Sequence, residues 1–224
     1  MTVEFHSLRT AAELAEVTRF EEFIWGAPDD LVPASMLVAV VGEGGLVLGG
    51  FVEEQLVATA FAFPTHERDV LHSHYIAVHP EFRRQGLGKR IKYEQVAWCR
   101  GNGYRSMRWT FDPLQLANAN LNLNKLGARG VRYQPDLYGV MGGINGDLPS
   151  DRLTVQWWFD DPPAPFHEHC SVVVPDVSPA EIAASAPAAV AARLAVRDAF
   201  VPLLTDGWQV AAVDLGERRY TLGR

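Results

Sequence analysis

Cysteine is scarce in this chain of 224 residues, which holds only Cys99 and Cys170. Two isolated cysteines form neither a zinc-ligand pattern nor a redox motif, and they indicate a reducing compartment rather than a disulfide framework. The run His167-Glu168-His169-Cys170 has side chains that can bind metal, but it lacks spaced partners elsewhere in the sequence. We therefore expect no metal site.

Long apolar runs and net positive charge are lacking as well. No apolar run approaches the ~20 residues that span a bilayer, and the first ten residues, MTVEFHSLRT, lack the basic and apolar blocks of a signal peptide. With 27 acidic and 20 basic residues, the formal net charge is -7. Such a chain is not expected to bind nucleic acid as a whole, so a basic cluster within it is directed at something small. These absences predict a cytoplasmic protein that has neither nucleic acid nor a membrane as its partner.

Helical and strand patterns alternate along residues 3–159. Thr10 and Glu13 have the spacing of a capping box, and an apolar stripe of helical period follows them up to Gly26. Shorter apolar runs separated by turn residues predict strands between the later helices. The alternation predicts an α/β or α+β sheet domain over residues 1–159.

The composition changes abruptly at residue 160. Residues 160–165 read DDPPAP, which predicts a stiff, proline-rich linker over residues 160–170. The patterns beyond it predict a strand-helix-strand appendage over residues 171–224. The appendage could cover a substrate site or form the contact of a homodimer, and its composition favours neither.

Cations and glycines gather where a predicted strand meets a predicted helix. A helix N-terminus has unpaired N–H groups and partial positive charge, and glycine lets an anion approach the backbone. Neither the P-loop nor the dinucleotide-binding pattern fits here, because the two glycines are too close together and Ile91 stands where a third glycine is needed. Taken alone, a solvated basic helix start is the simpler explanation. The residues in question are Arg83, Arg84, Gln85, Gly86, Leu87, Gly88 and Lys89.

In its strand-loop-helix context, this stretch fits the pattern [RQ]-x-x-G-x-[GA] and resembles the GNAT superfamily of acyl-CoA-dependent N-acyltransferases. The resemblance implies a mixed, mostly antiparallel central sheet with a splayed strand and helices on both faces. It also implies that the loop amides wrap the diphosphate of coenzyme A. The splayed, bulged strand, here Ile76, Ala77 and Val78, would pair with the pantetheine arm and offer an oxyanion donor.

Two histidines precede that strand segment. His72 and His74 share strand parity with Ile76 and Val78, which predicts that all four project from one face. Two imidazoles in series can pass a proton at neutral pH. The run resembles the His-x-His strand of arylalkylamine N-acetyltransferases, so His74 and His72 are candidate catalytic residues that deprotonate an amine. A half-buried, hydrogen-bonded structural role is the alternative.

The general acid usual in the superfamily is a tyrosine on the last core helix, and this chain departs from that pattern. Leu123 stands at the position of the tyrosine, which leaves Tyr133 and Tyr138 as loose alternatives. Asn118 and Asn122, four residues apart, are candidates to contact the cofactor.

A second block, from Trp109 to Gln115, together with Asp151-Arg152-Leu153, resembles a bacterial GNAT subgroup with an extended C-terminus. That likeness implies succinyl-CoA as an alternative to acetyl-CoA, and an amino acid as acceptor. Asp112 and Arg152 then become candidate acceptor-binding residues, since guanidinium binds carboxylate in a bidentate manner. A turn-closing aspartate and a surface ion pair are the alternatives. The sequence therefore predicts an N-acyltransferase that acts on a small amine or amino acid, with an acyl-CoA-binding module without turnover as the alternative.

Overall fold

The computed structural model describes residues 2–26, 31–139 and 147–224. They belong to two units, Met1–Trp109 and Thr110–Arg224. The predicted appendage, residues 171–224, lies wholly within the second unit, and its separation from residues 1–159 stays a prediction.

The first unit is a sheet with helices on its two sides. Its strands lie in the order β1-β2-β3-β4-β5, all antiparallel except for the parallel pair β4 and β5. The elements, in chain order, are β1 (Glu4–Ser7), α1 (Ala11–Trp25), α2 (Ala34–Gly42), β2 (Leu46–Val52), β3 (Gln55–Pro64), β4 (Val70–Val78), a 3-10 helix (Pro80–Phe82), α3 (Leu87–Gly101) and β5 (Ser106–Phe111), whose last two residues belong to the second unit.

Helix α1 begins at the capping box that the sequence predicts. The hydroxyl of Thr10 accepts a hydrogen bond from the backbone of Glu13, and the Glu13 carboxylate accepts one from the backbone of Thr10 at 2.8 Å. Gly26, with φ of +65°, ends the helix in the left-handed conformation. The apolar stripe of α1 packs with α2 and the sheet in one core, which includes Leu14, Val17, Phe20, Leu37, Val47 and Phe61.

The two faces of strand β4 contact different helices. On one face, the Ser73 hydroxyl hydrogen-bonds to Gln95 and Lys92 of α3. On the other face, the Tyr75 hydroxyl donates to the Glu21 carboxylate of α1. Helices therefore lie on both faces of the sheet, as the resemblance implied.

The second unit contains a sheet of strand order β7-β6-β9-β10-β8, antiparallel throughout its recorded pairings. Strands β6 and β10 were not predicted, so the C-terminal segment holds three strands rather than two. The elements are α4 (Leu116–Ala119), a π-helix (Asn120–Lys125), β6 (Arg129–Gln134), β7 (Arg152–Trp158), β8 (His169–Val173), α5 (Pro179–Ala183), α6 (Pro187–Thr205), β9 (Gln209–Asp214) and β10 (Arg219–Gly223). The predicted fold class, a mixed and mostly antiparallel α/β architecture, is confirmed.

Candidate functional site

The loop before α3 has a backbone shaped for an anion. Arg84 has φ of +63° and Gly86 has φ of +79°, both in the left-handed region, while Arg83 is extended. Left-handed residues between right-handed or extended ones turn successive N–H groups toward one side, which forms an anion-binding concavity. Arg84 adopts this conformation without being glycine, a costly choice that clusters at ligand-binding loops.

The amide groups of this loop are available to a ligand. Within the described residues, the N–H groups from Arg84 to Gly88 donate no hydrogen bond, and no side chain caps the start of α3. A Cβ atom built on Gly86 would meet nothing within 4 Å, so the approach to the backbone is open. Unpaired amides at the N-terminus of a 15-residue helix fit a diphosphate.

The predicted loop side chains divide into two groups. Arg83 donates from Nε to the carbonyl of Val78 at 3.1 Å, and Gln85 donates from Nε2 to the carbonyl of Glu81 at 3.0 Å. These two side chains hold the loop in shape. Arg84 and Lys89 are exposed, and they supply positive charge beside the open amides.

Strand β4 carries a bulge at His74. Tyr75 pairs with Phe61 and Ser73 pairs with Ala62, so His74 is the extra residue. A bulge of this kind bends the strand, increases its twist and re-aims side chains, and it is enriched next to active sites.

Strand β4 also separates from β5. Only Val70–His72 pairs with β5, at Ser106–Arg108, although β4 continues to Val78. Beyond His72, the edge of β4 that faces β5 is therefore unpaired within the first unit. This arrangement matches the splayed strand that the resemblance implied for Ile76, Ala77 and Val78.

The predicted parity of the histidines with Ile76 and Val78 is wrong, because of the bulge. His72 pairs with Phe63, whereas Ile76 pairs with Ala60, three residues away on β3. Paired residues share a face and alternate residues change face, so His72 and Ile76 lie on opposite faces.

The two histidines themselves do lie together. Their ring centroids are 5.9 Å apart, and the His74 ring lies 5.7 Å from both Phe61 and Phe63. His72 stacks on Phe63 at 4.7 Å. Both imidazoles therefore belong to one aromatic cluster on the face that α1 and α2 cover.

Their surroundings keep both imidazoles in the neutral form at neutral pH. Burial lowers the pKa of His72 to about 4, with further lowering by the charges of His74, Lys92 and Arg108. Burial also lowers the pKa of His74, although this residue keeps part of its surface exposed. A neutral imidazole can accept a proton, and His74 is the more accessible of the two acceptors.

A groove of about 600 Å³ opens beside His74, between α2 and the sheet. Its volume lies within the range of ~300–1,000 Å³ typical of small-molecule sites. Apart from His74 and Glu43, its described walls are apolar: Val32, Met36, Ala39, Val40, Phe61, Phe63 and Pro64.

Two residues of this region escaped prediction from the sequence. Glu21 is fully buried, and its carboxylate accepts hydrogen bonds from the Tyr75 hydroxyl and from the backbone of Val32 at 3.1 Å. Burial raises the pKa of both Glu21 and Tyr75. The available signal was the position of Glu21 four residues after Val17, on the apolar stripe of α1.

A buried polar network lies behind the histidine strand, on its other face. Lys92 is 4% exposed, donates to the Ser73 hydroxyl at 2.9 Å, and lies 3.6 Å from the centroid of the Trp109 ring. Ser73 in turn donates to Gln95 at 3.0 Å. The network fixes the residue immediately before the bulged His74.

In the second unit, the two candidate asparagines have different surroundings. Asn118 is exposed on α4, whereas Asn122 is 5% exposed within the π-helix. The winding changes from α to π between them. The prediction that the two asparagines share one face assumed a continuous α-helix, so it does not apply here. Their contact with a cofactor stays a prediction.

Asp112 is engaged in a buried ion pair. Its two carboxylate oxygens accept hydrogen bonds from the Arg193 guanidinium at 2.5 and 2.7 Å, and one of them also accepts from the backbone of Leu114. These contacts support the structural alternative for Asp112. Arg152 is 7% exposed, with its guanidinium 5.6 Å from the Tyr138 ring, and its binding of an acceptor stays a prediction.

Of the alternative acids, Tyr133 is committed to a structural contact. It donates to Asp151 at 2.8 Å, and burial together with that carboxylate raises its pKa far above the ordinary value. Tyr138 is 45% exposed, and its hydroxyl lies 3.4 Å from that of Thr110. Leu123 is buried.

The described residues contain neither a metal-binding cluster nor a membrane-spanning helix. No three histidine, cysteine or acidic side chains there lie close enough together to hold a metal ion. Nor does any described helix combine the length and apolarity that crossing a bilayer requires.

Comparison with known proteins gives a family. No curated protein matches the chain in sequence. Similar solved structures include the ribosomal-protein-S18-alanine N-acetyltransferase from Escherichia coli, with 18% identity over 70% of this chain and 94% of that chain, and a TM-score of 0.58. The acetyltransferase of the GNAT family from Streptococcus pneumoniae is 13% identical over 70% of this chain and 99% of that chain, with a TM-score of 0.58. A GNAT superfamily phosphinothricin acetyltransferase from Sinorhizobium meliloti, in complex with acetyl-CoA, is 18% identical over 70% and 88% of the two chains, with a TM-score of 0.54.

These structural similarities show a shared fold, whereas the family assignment rests on a match in sequence. The model of the acetyltransferase (GNAT) family matches residues 11–127, more than half of the chain. The matched range contains the open amide loop, the bulged strand and the histidine pair. The chain belongs to the GNAT acetyltransferase family.

Proposed function

We propose that the protein transfers an acyl group from acyl-CoA to the amine of a small molecule. The observation that carries the proposal is the bulge at His74, which aims an imidazole into a groove at the point where β4 separates from β5. Family membership and the open amide loop support the same conclusion. Acetyl-CoA is the first donor to test, and succinyl-CoA is the second.

In this proposal, the loop and the open strand edge bind the donor. The amides from Arg84 to Gly88 hold the diphosphate, and Arg84 and Lys89 add charge. The unpaired edge at Ile76–Val78 pairs with the amide groups of the pantetheine arm, as an added strand does. A backbone N–H group of this segment stabilises the developing oxyanion.

His74 has the role of base. The incoming amine must be neutral to attack, and an alkyl ammonium has a pKa of about 10. His74 takes the proton, directly or through water. His72 beside it is the weaker acceptor, since its pKa is lowered to about 4, and it has the secondary role of a proton relay. The amine nitrogen forms a bond to the acyl carbon, the carbon–sulfur bond breaks, and coenzyme A leaves as the thiolate, which then takes a proton from water.

Departure of the thiol does not depend on a dedicated tyrosine. Leu123 occupies the position of the usual acid, and Tyr133 is held by Asp151. A thiol has a pKa of about 8.5, so thiolate is a tolerable leaving group at neutral pH. General acid assistance contributes ~10²–10⁴-fold, so without it the reaction is slower but still proceeds.

Release of the coenzyme A thiol tests the proposal. Acetyl-CoA and succinyl-CoA are each presented with a panel of primary amines, and the thiol is measured over pH 6–10. We expect His74→Ala to reduce the rate by ~100-fold or more at pH 7 and by much less at pH 10, where the ammonium group loses its proton to solvent unaided.

The matched control is His66→Ala, because His66 is exposed in the turn before β4. It should change neither the rate nor its pH profile. A loss in His74→Ala that is equal at every pH would contradict the role of base and mark the residue as structural.

The alternative function, binding of acyl-CoA without turnover, is favoured by one observation, the leucine at position 123. Tight binding of acetyl-CoA with no thiol release from any amine would support that alternative.

A further inference from the structure

The composition of the groove beside His74 restricts the acceptor. Seven of its nine described lining residues are apolar, and the only ionisable ones are Glu43 and His74. None of the described lining residues is lysine or arginine. The described lining residues therefore offer an acceptor no cationic partner, and one of them, Glu43, is acidic.

A carboxylate on the acceptor would be unfavourable in such a groove. Moving an ionised carboxylate from water to an apolar surface without a partner costs several kcal/mol, and Glu43 would add repulsion. A protonated amino group, by contrast, has favourable interactions in this groove. It is attracted by the Glu43 carboxylate, and the faces of Phe61 and Phe63 favour cations.

An apolar body attached to that amine gains from the same walls. Apolar surface removed from water contributes roughly 25 cal/mol per Å². Met36, Val40 and Phe63 supply such surface along the groove, and methionine adapts to irregular shapes. The groove thus favours an alkyl or aryl group at one end and an amine at His74.

We propose that the acceptor is a primary amine on an apolar alkyl or aryl body that bears no carboxylate. The inference rests on the proposed function and narrows its acceptor, and it argues against the amino acid considered from the sequence. In the reaction, the nitrogen of this amine bonds to the acyl carbon and its proton goes to His74. The carbon–sulfur bond of the thioester breaks and releases the thiolate of coenzyme A, which takes a proton from water.

Acceptor pairs that differ only by a carboxylate test this inference. Phenylethylamine is compared with phenylalanine, and 3-methylbutylamine with leucine, at a fixed concentration of acetyl-CoA. We expect kcat/KM to favour the amine at least ~100-fold in each pair, which corresponds to about 2.7 kcal/mol. Equal values, or a preference for the amino acid, would overturn the inference while leaving the proposed function standing.

Equilibrium binding separates failure of the inference from failure of the proposed function. If no amine of the full panel, these pairs included, releases thiol from acetyl-CoA or succinyl-CoA, the proposed function fails on its own. Calorimetry with the same pairs then still decides the inference, because the groove should bind the amine more tightly than the amino acid. An amine that binds no better than its carboxylated partner would refute it.

Two arginine substitutions on helix α2 provide a matched comparison. Ala39 lines the groove and Val38 does not, and both are exposed, so neither change fills the core. Ala39→Arg should reduce the preference for phenylethylamine over phenylalanine at least tenfold, by supplying the missing cation. Val38→Arg should leave the preference unchanged, and an equal effect of both changes would show that the groove does not hold the acceptor.

Discussion

For the buried lysine behind the histidine strand, we predict how the free energy of unfolding depends on pH. Lys92 is almost inaccessible, and burial lowers its pKa from 10.5 to about 7. The unfolded chain therefore binds a proton more readily than the folded protein between these two pH values. By linkage, stability rises with pH across this window and is lowest at and below pH 7.

The size of the effect follows from the same two values. At 1.36 kcal/mol for each pKa unit, the difference between 10.5 and about 7 corresponds to at most about 5 kcal/mol. Lys92→Met removes this penalty and keeps a side chain of similar length. It also removes the hydrogen bond to Ser73, worth about 1 kcal/mol, and the contact with the Trp109 ring. We therefore expect the variant to be the more stable protein at pH 6, by a few kcal/mol.

Urea unfolding, followed by tryptophan fluorescence from pH 6 to 10.5, measures the prediction. The advantage of Lys92→Met should shrink as the pH rises and be lost by about pH 10.5, where the unfolded lysine also loses its proton. Lys89→Met, an exposed change on the same helix, should differ from the wild type by less than about 0.5 kcal/mol at every pH. A pH-independent difference for Lys92→Met, or a variant that is less stable at pH 6, would refute the reasoning.

Three further predictions concern the loop, the buried ion pair and the acid. Gly88→Val, next to the open amides of α3, should weaken coenzyme A binding more than tenfold in calorimetry, whereas Gly101→Val at the far end of that helix should not; equal affinities would remove the loop assignment. Arg193→Met removes the bidentate ion-pair partner of the buried Asp112 carboxylate, and should lower the free energy of unfolding by about 3–5 kcal/mol in urea titrations. A change below 1 kcal/mol would contradict the structural role. Tyr138→Phe should reduce turnover less than tenfold, and a loss near a thousandfold with intact coenzyme A affinity would identify this residue as the acid.

The parts of the fold that could be predicted are those encoded by neighbouring residues. The capping box at Thr10, the glycine that ends α1 and the loop before α3 each depend on short-range contacts. Strand β6 was missed because the residues that stabilise it as a strand lie far away in the sequence. A Cβ atom at Gly130 would lie 2.7 Å from that of Val210 on β9, so the glycine allows two strands to approach, and no local pattern shows this.

The site shows the same division. The histidines could be found from their spacing, but the bulge that sets their direction could not. The sequence does not show at which residue of a strand the alternation of its two faces is interrupted. Lys92 looks like a solvent-facing charge in a helix when only the sequence is read, and the place of Glu21 on the apolar stripe of α1 does not show what its carboxylate contacts. Their burial is decided by the strands that pack against them.

The bulge at His74 places the groups that handle the proton on one strand, apart from the helix that contributes to acceptor binding. His72, His74 and Tyr75 come from four consecutive residues of one strand, and all three face the same aromatic cluster. Their mutual spacing is therefore fixed by the backbone of β4 alone. The other walls of the groove come from β3 and from α2, and α2 is a separate element with exposed positions along its length. Substitutions on α2 can accordingly change which acceptor is accommodated without moving the groups that handle the proton, so that selectivity and chemistry are free to diverge independently.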